Sequence, residues 1–295
     1  MEYFLQQVVN GLQLGFVYAL IALGYTMVYG IVRLINFAHG DVFMVGAFAG
    51  FFAIGALKLG FIEAVLFAMV ACMILGVTIE RLAYRPLRRA PKIAALITAI
   101  GVSLFLEYFS SLKFVFGPNY RPFPRPFDPA PVLTFGSVTI SNVQVIIVVV
   151  ALLLLAIQQF IVMKTKIGTA MRAVSYDHDA ARLMGINVDL VISFTFALGS
   201  ALAGAGGVLY AIAYPRIDPF MGILPGLKAF VAAVLGGIGI IPGAMLGALI
   251  MGQAEVLTAG YLSSTLRDAV AFGILILVLM FRPTGILGKR ATEKV

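Results

Sequence analysis

The sequence predicts an all-α polytopic membrane protein, and three observations carry that prediction. Of its 295 residues, 61% are hydrophobic and only 12% are charged, with a mean hydropathy of +1.04. A soluble domain cannot hide that much apolar surface. The apolar residues also fall into membrane-length runs separated by short connectors, and the bases cluster beside those runs. The formal net charge of +8 therefore reads as orientation by the positive-inside rule and not as affinity for nucleic acid. A single domain of residues 1–295 with about eight membrane segments is expected, some broken or re-entrant, with the N-terminus outside and the C-terminus inside.

No base precedes Arg33, so the chain lacks the basic start of a cleavable signal, and the first apolar run, Val9–Ile31, is expected to be retained as a span. The next runs are Asp41–Leu57 and Phe61–Glu80, each near the ~20 residues that a helix needs to cross about 30 Å of hydrocarbon. Arg81, Arg85, Arg88, Arg89 and Lys92 follow and place that connector inside. Counting back three crossings puts the N-terminus outside. Ile93–Phe116 then runs outward. Residues 117–141 hold prolines at 118, 122, 124, 126, 129 and 131, which forbids helix and predicts an extended outer loop. A small hairpin is expected around Phe135–Ser137. This loop reads either as a docking surface for an extracytoplasmic partner or as an ordered lid.

Asn142–Met163 returns inward and leads into the longest charged interval, residues 164–189, which Lys164, Lys166, Arg172 and Arg182 place in the cytoplasm. A connector needs only about four to six residues. On a helical wheel Ile167, Ala170, Met171, Val174, His178 and Ala181 share one arc, and Arg172, Ser175, Asp179 and Arg182 the next. Asp177 can cap a helix N-terminus and Gly185 can take the left-handed position after its last turn, which predicts a short helix over roughly His178–Met184. The interval is either a docking element or a helical positive-inside connector.

Leu190–Tyr214 leaves again, and Ser264–Phe281 leads to a tail whose Arg282, Lys289, Arg290 and Lys294 place it inside. The run between them, Gly226–Leu257, is interrupted by Gly236, Gly237, Gly239, Pro242 and Gly243. Each half is expected to be about 12–15 residues, too short to span. A broken pair results, with its freed backbone groups turned into protein or a wet cavity. Arg33–Gly50 looks like its counterpart, so an internal inverted repeat is expected, with the solute path where the two interruptions meet. Asn36, His39, Asp41, Gly236, Gly237 and Gly239 are the path candidates. Asn36, His39 and Asp41 read equally as a cap on the helix that starts at Gly40–Asp41.

Few other polar groups sit at membrane depth, where a centred charge costs roughly 2.5–3.5 kcal/mol on an insertion scale. Glu107 lies mid-run with no basic neighbour in sequence; Glu255 follows the glycine-broken run; Arg267 and Asp268 adjoin the last span. Each reads as structural pairing or as solute contact. So few charges argue against an ion channel with charged rings. Cys72 stands alone in an apolar run, which leaves no disulfide framework and no cysteine-based metal site. There is no phosphate-binding G-x-x-x-x-G-K-[ST] and no H-E-x-x-H, so neither nucleotide hydrolysis nor a cofactor is expected in this chain.

Gly168–Ile186 (G-T-A-M-R-A-V-S-Y-D-x-D-A-A-R-L-M-G-I) resembles the cytoplasmic loop of permease subunits of bacterial ABC importers, within them the LivH-type branched-chain amino acid group. Ile35–Asp41 (I-N-F-A-H-G-D) and Ala232–Gly247 (A-A-V-L-G-G-I-G-x-I-P-G-A-M-L-G) support the same resemblance, in the right order and over nearly the whole chain. The resemblance implies a permease subunit of the bacterial inner membrane that forms a path with a second homologous permease subunit. It also implies two cytoplasmic ATPase subunits and a periplasmic solute-binding protein as partners. Arg172, Asp177, Asp179, Arg182, Leu183 and Gly185 are then the residues expected to meet the ATPase or to shape the element that does. A permease for urea or short amides of the same superfamily, or an ion-coupled secondary amino-acid transporter, would share most of these features.

Overall fold

The computed structural model describes residues 1–88 and 90–288. Arg89, Lys289, Arg290 and Lys294, used above for orientation, lie outside the described residues. The expected all-α class is what the structure has: among the described residues, seven helices are long and apolar enough to cross a membrane and two apolar helices are shorter.

The first helix, α1 (Glu2–Val32), starts well before the apolar run at Val9. Its polar first turns are satisfied by the 117–141 loop, where Ser137 Oγ donates to Glu2 at 2.6 Å and Thr139 N–H to Gln6 at 2.8 Å. Glycines at 11 and 15 let α10 (Ile241–Tyr261) pack directly on its backbone. Arg33, with φ 54°, ends α1 in the left-handed region. Residues 33–38 are not helical, and α2 (His39–Gly55) then runs back, setting Phe48 face to face on Phe116 at 4.1 Å. Next come α3 (Phe61–Ile79), which continues through a π-helical turn (Glu80–Tyr84), and α4 (Lys92–Ser110). α4 stops short of the expected Phe116, because the chain turns through Ser111–Phe116 to the positive-φ Gly117.

In the proline-rich loop, β1 (Arg121–Pro122) precedes the hairpin of β2 (Pro131–Phe135) and β3 (Val138–Ser141), which pair antiparallel around Gly136–Ser137 as expected. Ser141 and Gln144 form a capping box that starts α5 (Asn142–Lys164). The charged interval carries two helices, α6 (Lys166–Tyr176) and α7 (His178–Leu183), where the sequence suggested one. α8 (Val188–Ala213) returns to the hairpin end of the bundle. There β4 (Arg216–Ile217) pairs with β1, and α9 (Ile223–Gly236), α10 and α11 (Arg267–Phe281) complete the chain.

The broken run differs from expectation in two ways. Its halves are unequal, with 14 residues in α9 and 21 in α10. α10 is long enough to span because Gly243, Gly247 and Gly252 do not break it; they press it against the backbones of α9 and α1. The counterpart of the 33–38 break is also not the glycine turn at 236–239. It is residues 214–222, upstream of α9, where Pro215 and Pro219 cannot continue a helix. The repeated unit is therefore long helix, extended break, half-helix: α1–α2 and, in the opposite sense, α8–α9. The two half-helices meet N-terminus to N-terminus. A Cβ on Gly40 would strike the Gly222 carbonyl, and one on Gly222 the Gly40 carbonyl.

An ion cluster locks the second half. Lys228 of α9 lies 2.8 Å from Glu255 of α10 and 2.7 Å from Asp268 of α11, and the Tyr18 hydroxyl donates to Glu255 at 2.7 Å. Arg267 approaches Glu255 at 3.5 Å, so Arg267 and Asp268 pair elsewhere and not with each other. Removing one partner of a buried pair is costlier than never having had it. Lys228→Met should therefore lower stability by about 3–5 kcal/mol. This would appear as a lower Tm in detergent, partly recovered in Lys228→Met/Glu255→Gln.

Candidate functional site

The half-helix junction holds a cavity of ≈ 170 Å³ bounded by α1, α2, α4 and α9. Asp41 sits in the first turn of α2, where the helix dipole favours a negative charge. Ser103 of α4 donates its hydroxyl to the Asp41 carboxylate. Glu107 lies one turn further along the same face of α4, so both acids face the cavity. Asp41 is 2% exposed and Glu107 7%. Among the described residues no Lys, Arg or His lies within ion-pair distance of either. The remaining wall is mostly apolar: Phe37, Ile100, Leu104 and Leu227, with the Tyr25 ring and the backbone of Gly222, Ile223 and Gly226. An apolar cavity of about 150 Å³ takes a benzene-sized molecule, so this space suits one small solute. Among the described residues no group of three or more His, Cys, Asp or Glu is placed to hold a metal.

Of the path candidates, only Asp41 lines this cavity. Asn36 is turned away and accepts the Tyr84 hydroxyl at 2.7 Å, which ties the 33–38 break to the π-helical turn after α3. His39 is buried edge-on against Tyr25, ring centroids 4.8 Å apart, with its Nε2 against Gly24. Gly236, Gly237 and Gly239 form the α9–α10 turn, about 14 Å beyond Leu227 of the cavity wall at 1.5 Å per residue along α9. Gly237 and Gly239 have φ of 110° and 91°, and Gly236 lets α10 approach at Gly243. The 284–288 segment closes on this turn, Ile286 N–H donating to Leu235 at 2.8 Å and Leu287 N–H to Gly236 at 3.1 Å. Sequence reasoning had flagged Glu107 as an acid without a partner. It missed Ser103, Tyr25, Gly222 and Gly226, which long-range packing alone brings to the cavity.

A second candidate region is the α6–α7 element. Arg172 of α6 donates to the Val162 carbonyl in the last turn of α5, so it closes that helix end instead of reaching outward. Asp177 accepts from the N–H groups of Asp179 (2.8 Å) and Ala180 (3.0 Å) and caps α7. Gly185, at φ 81°, closes the other end. Ile186 N–H donates to Ala181 and Gly185 N–H to Arg182, the pattern of a left-handed helix stop. Ala181 and Met171 face inward, Asp179 and Arg182 form an exposed ion pair, and Leu183, Met184 and Tyr176 are 89%, 82% and 90% exposed. His178 Nε2 is 2.8 Å from the Ile31 carbonyl in the last turn of α1. Beyond α7, Asp189 at the start of α8 pairs with Arg85 at 2.7 Å and with Arg88, which also binds buried Glu80.

The two backbone donors at Ala180 and Asp179 hold the Asp177 carboxyl below the usual carboxylate range. A carboxyl depressed in the folded state stabilises it fully above the unfolded value and loses that contribution as pH falls through the folded one. Hydrogen exchange of α7 amides should therefore speed up on acidification beyond its intrinsic pH dependence. Asp177→Asn, which keeps a capping oxygen, should remove that excess.

The family described as "Branched-chain amino acid transport system / permease component" matches residues 7–279. The chain is 45% identical to the high-affinity branched-chain amino acid transport system permease protein LivH of Escherichia coli strain K12, over 99% of this chain and 98% of that one. It is 45% identical to BraD of Pseudomonas aeruginosa, with the same coverage. Among solved structures, PsaBC from Streptococcus pneumoniae is similar over 96% of this chain and 93% of that one, at 15% identity and a TM-score of 0.48. The resemblance read from the three motifs is borne out.

Proposed function

Because the chain belongs to the family of branched-chain amino acid transport system permease components, we propose that it is a membrane-spanning subunit of an ATP-driven importer of branched-chain amino acids. The observation that supports this most is 45% identity over 99% of the chain to relatives of that description. In this reading the chain pairs with a second homologous permease subunit. Two cytoplasmic ATPases drive it, and a periplasmic binding protein delivers the solute. The hairpin end faces the periplasm of a bacterial inner membrane, and the α6–α7 element faces the cytoplasm.

The α7 element suits coupling because its exposed and buried faces do different work. Leu183 and Met184 offer apolar contact beside the left-handed Gly185, and Arg182 and Asp179 offer charge. Its inner face is tied to the bundle at His178, and a second tie lies just beyond it at the start of α8. His178 meets the end of α1, and Asp189, Arg85, Arg88 and Glu80 join the start of α8 to the end of α3. Displacement of α7 by an ATPase would therefore be delivered to α1, α3 and α8 together. Arg172 and Asp177 act inside this element, as a helix closure and a cap, and Arg182, Asp179 and Leu183 contact the motor.

The test is co-purification from native membranes in mild detergent, followed by uptake in vesicles with the binding protein supplied. ATPase subunits should accompany the chain, and L-leucine uptake should require ATP. Uptake driven by a pH gradient alone would overturn the reading. Leu183→Asp/Met184→Asp should lose the ATPase in the same pull-down while inserting normally. Gly185→Val places a β-branched residue where φ is 81° with open space around any Cβ, so its cost, about 1–2 kcal/mol, is one of local backbone shape. It should lower uptake per ATP hydrolysed, and Gly185→Asn, which tolerates this conformation, should do so much less.

A further inference from the structure

A cavity of ≈ 300 Å³ lies between α1, α5, α6 and the α9–α10 turn, apart from the half-helix junction. Met27, Ile31, Val162, Met171 and Ile241 make its wall apolar. Two polar side chains interrupt that wall. Thr26 of α1 is 1% exposed, and its hydroxyl has no hydrogen-bond partner among the described residues. Gln159 of α5 stands in the same wall. A buried hydroxyl without a partner costs stability, and a ligand that bonds to it removes the cost. Thr26 lies six residues before the end of α1 at Val32, and Gln159 five before the end of α5 at Lys164. Both are therefore about 8–9 Å inside their helix ends at 1.5 Å per residue. Arg172 of α6 stands at the mouth. Its guanidinium donates to the Val162 carbonyl and, at 3.3 Å, to Thr169 Oγ1. With five N–H donors it has others to offer, and no carboxylate pairs with it among the described residues. No Asp or Glu occurs between Asp128 and Asp177, while Lys164 and Lys166 flank the junction of α5 and α6. The mouth is thus positive and without a counter-charge of its own, where a helix leaves the hydrocarbon.

We propose that this cavity binds an anionic glycerophospholipid of the adjoining leaflet, with its phosphate at Arg172, an ester carbonyl at the Thr26 hydroxyl and the start of an acyl chain on the apolar wall. The order of the groups carries the assignment. Going inward, a phospholipid presents a phosphate, then ester carbonyls, then hydrocarbon. The cavity presents a guanidinium beyond the helix ends, a hydroxyl and an amide a turn or two inside, and thioether and aliphatic surface around them. Basic clusters just beyond a span attract anionic lipid, and basic pockets between spans hold such headgroups. A free phosphate would leave Thr26 and the apolar wall unused, and a fatty acid would bring one polar group to two polar levels. The site rests on the chain lying in a bilayer and not on the solute proposed above. Because α6 links α5 to α7, a lipid held here touches the base of the α7 element.

The test uses the full chain with the partners that co-purify, stripped of lipid in detergent, and counts bound lipid by native mass spectrometry. The probes are phosphatidylglycerol with palmitoyl and oleoyl chains, phosphatidylcholine with the same chains, the diether analogue of that phosphatidylglycerol, and glycerol 3-phosphate. Phosphatidylglycerol should bind at least about tenfold more tightly than phosphatidylcholine, since a hydrogen-bonded charge contact is worth roughly that factor or more. The diether, which lacks the ester carbonyl, should bind about threefold or more weakly. Glycerol 3-phosphate should not compete. Arg172→Gln should bring phosphatidylglycerol down to the level of phosphatidylcholine. Thr26→Val, close in shape, should lower phosphatidylglycerol to the affinity of the diether and leave the diether unchanged. A Cβ on Gly30, in the cavity wall, meets only ordinary contacts, the nearest being Gly239 Cα at 3.5 Å. Gly30→Leu should therefore fill the cavity and block phosphatidylglycerol without touching Arg172 or Thr26. Unchanged circular dichroism and partner recovery confirm the fold of each variant. The site is overturned if the two phospholipids bind wild type alike or if glycerol 3-phosphate competes as well as whole lipid. It is overturned equally if Gly30→Leu and Thr26→Val both bind phosphatidylglycerol like wild type. Binding to the chain alone that disappears in the assembled complex would give the cavity to a partner subunit and also sink the proposal. None of these readouts measures transport, so their failure leaves the function proposed above standing.

Discussion

Backbone against backbone at Gly40, Gly222 and Gly226 is the constraint on which the rest of this structure depends. A half-helix that begins inside an apolar bundle brings unsatisfied N–H groups with it, and such groups are tolerated only where protein or water can meet them. Two half-helices that meet N-terminus to N-terminus concentrate the problem at one place. Glycine lets them approach until only a small space remains between them. The breaks that feed them are then satisfied locally. Asn36 holds its own loop through the Tyr84 hydroxyl and the His39 amide, and Asp218 accepts from Phe220 and Met221. Any side chain at Gly40 or Gly222 would force the two elements apart and open both breaks.

That geometry gives the two halves the same architecture and opposite electrical character. Lys228, Glu255 and Asp268 make the α9 half internally complete, and Tyr18 extends the cluster to α1. The α2 half gathers Asp41, Ser103 and Glu107 on the cavity side without a cation of its own. One half is thus built to hold its helices together, and the other turns two carboxyl groups toward the space between the halves.

How much of this was legible in the sequence depended on whether the signal was local. The α7 helix was, because Asp177 and Gly185 are end signals that act within a few residues. So was the hairpin around Phe135–Ser137, in a stretch where proline forbids helix. The broken run was found, but the counterpart of the 33–38 break was placed in it wrongly. Glycines at 236, 237 and 239 look like the interruption, and they do make a turn; yet Gly243 and Gly247 of the same cluster serve close packing of a continuous helix. A glycine that bends the chain and a glycine that admits a neighbour read alike until the neighbour is known. That counterpart, at 214–222, was signalled by Pro215 and Pro219, which fall in the gap between the Leu190–Tyr214 span and the Gly226–Leu257 run. Glu107 stood out as an unpaired acid, but its meeting with Asp41 spans more than sixty residues of sequence and needed the fold.

The remaining step joins the two candidate regions. His178 bonds the carbonyl of Ile31, one residue from the end of α1. Arg33 then turns the chain, and the short break of residues 33–38 leads straight to Asp41. The break cannot absorb much movement. Asn36 is pinned to Tyr84, and Tyr84 belongs to the same π-helical turn as Glu80, which Arg88 and Ser193 anchor to α8. A shift of α7 relative to the bundle must therefore either break the His178 contact or move the end of α1 and the base of α2 together. Since Asp41 is in the first turn of α2 while Ser103 and Glu107 belong to α4, such a movement would act on the contact between the two helices at that point. From His178 the links to Asp41 are contiguous: the Ile31 carbonyl, the end of α1, and the 33–38 break that Asn36 and Tyr84 hold.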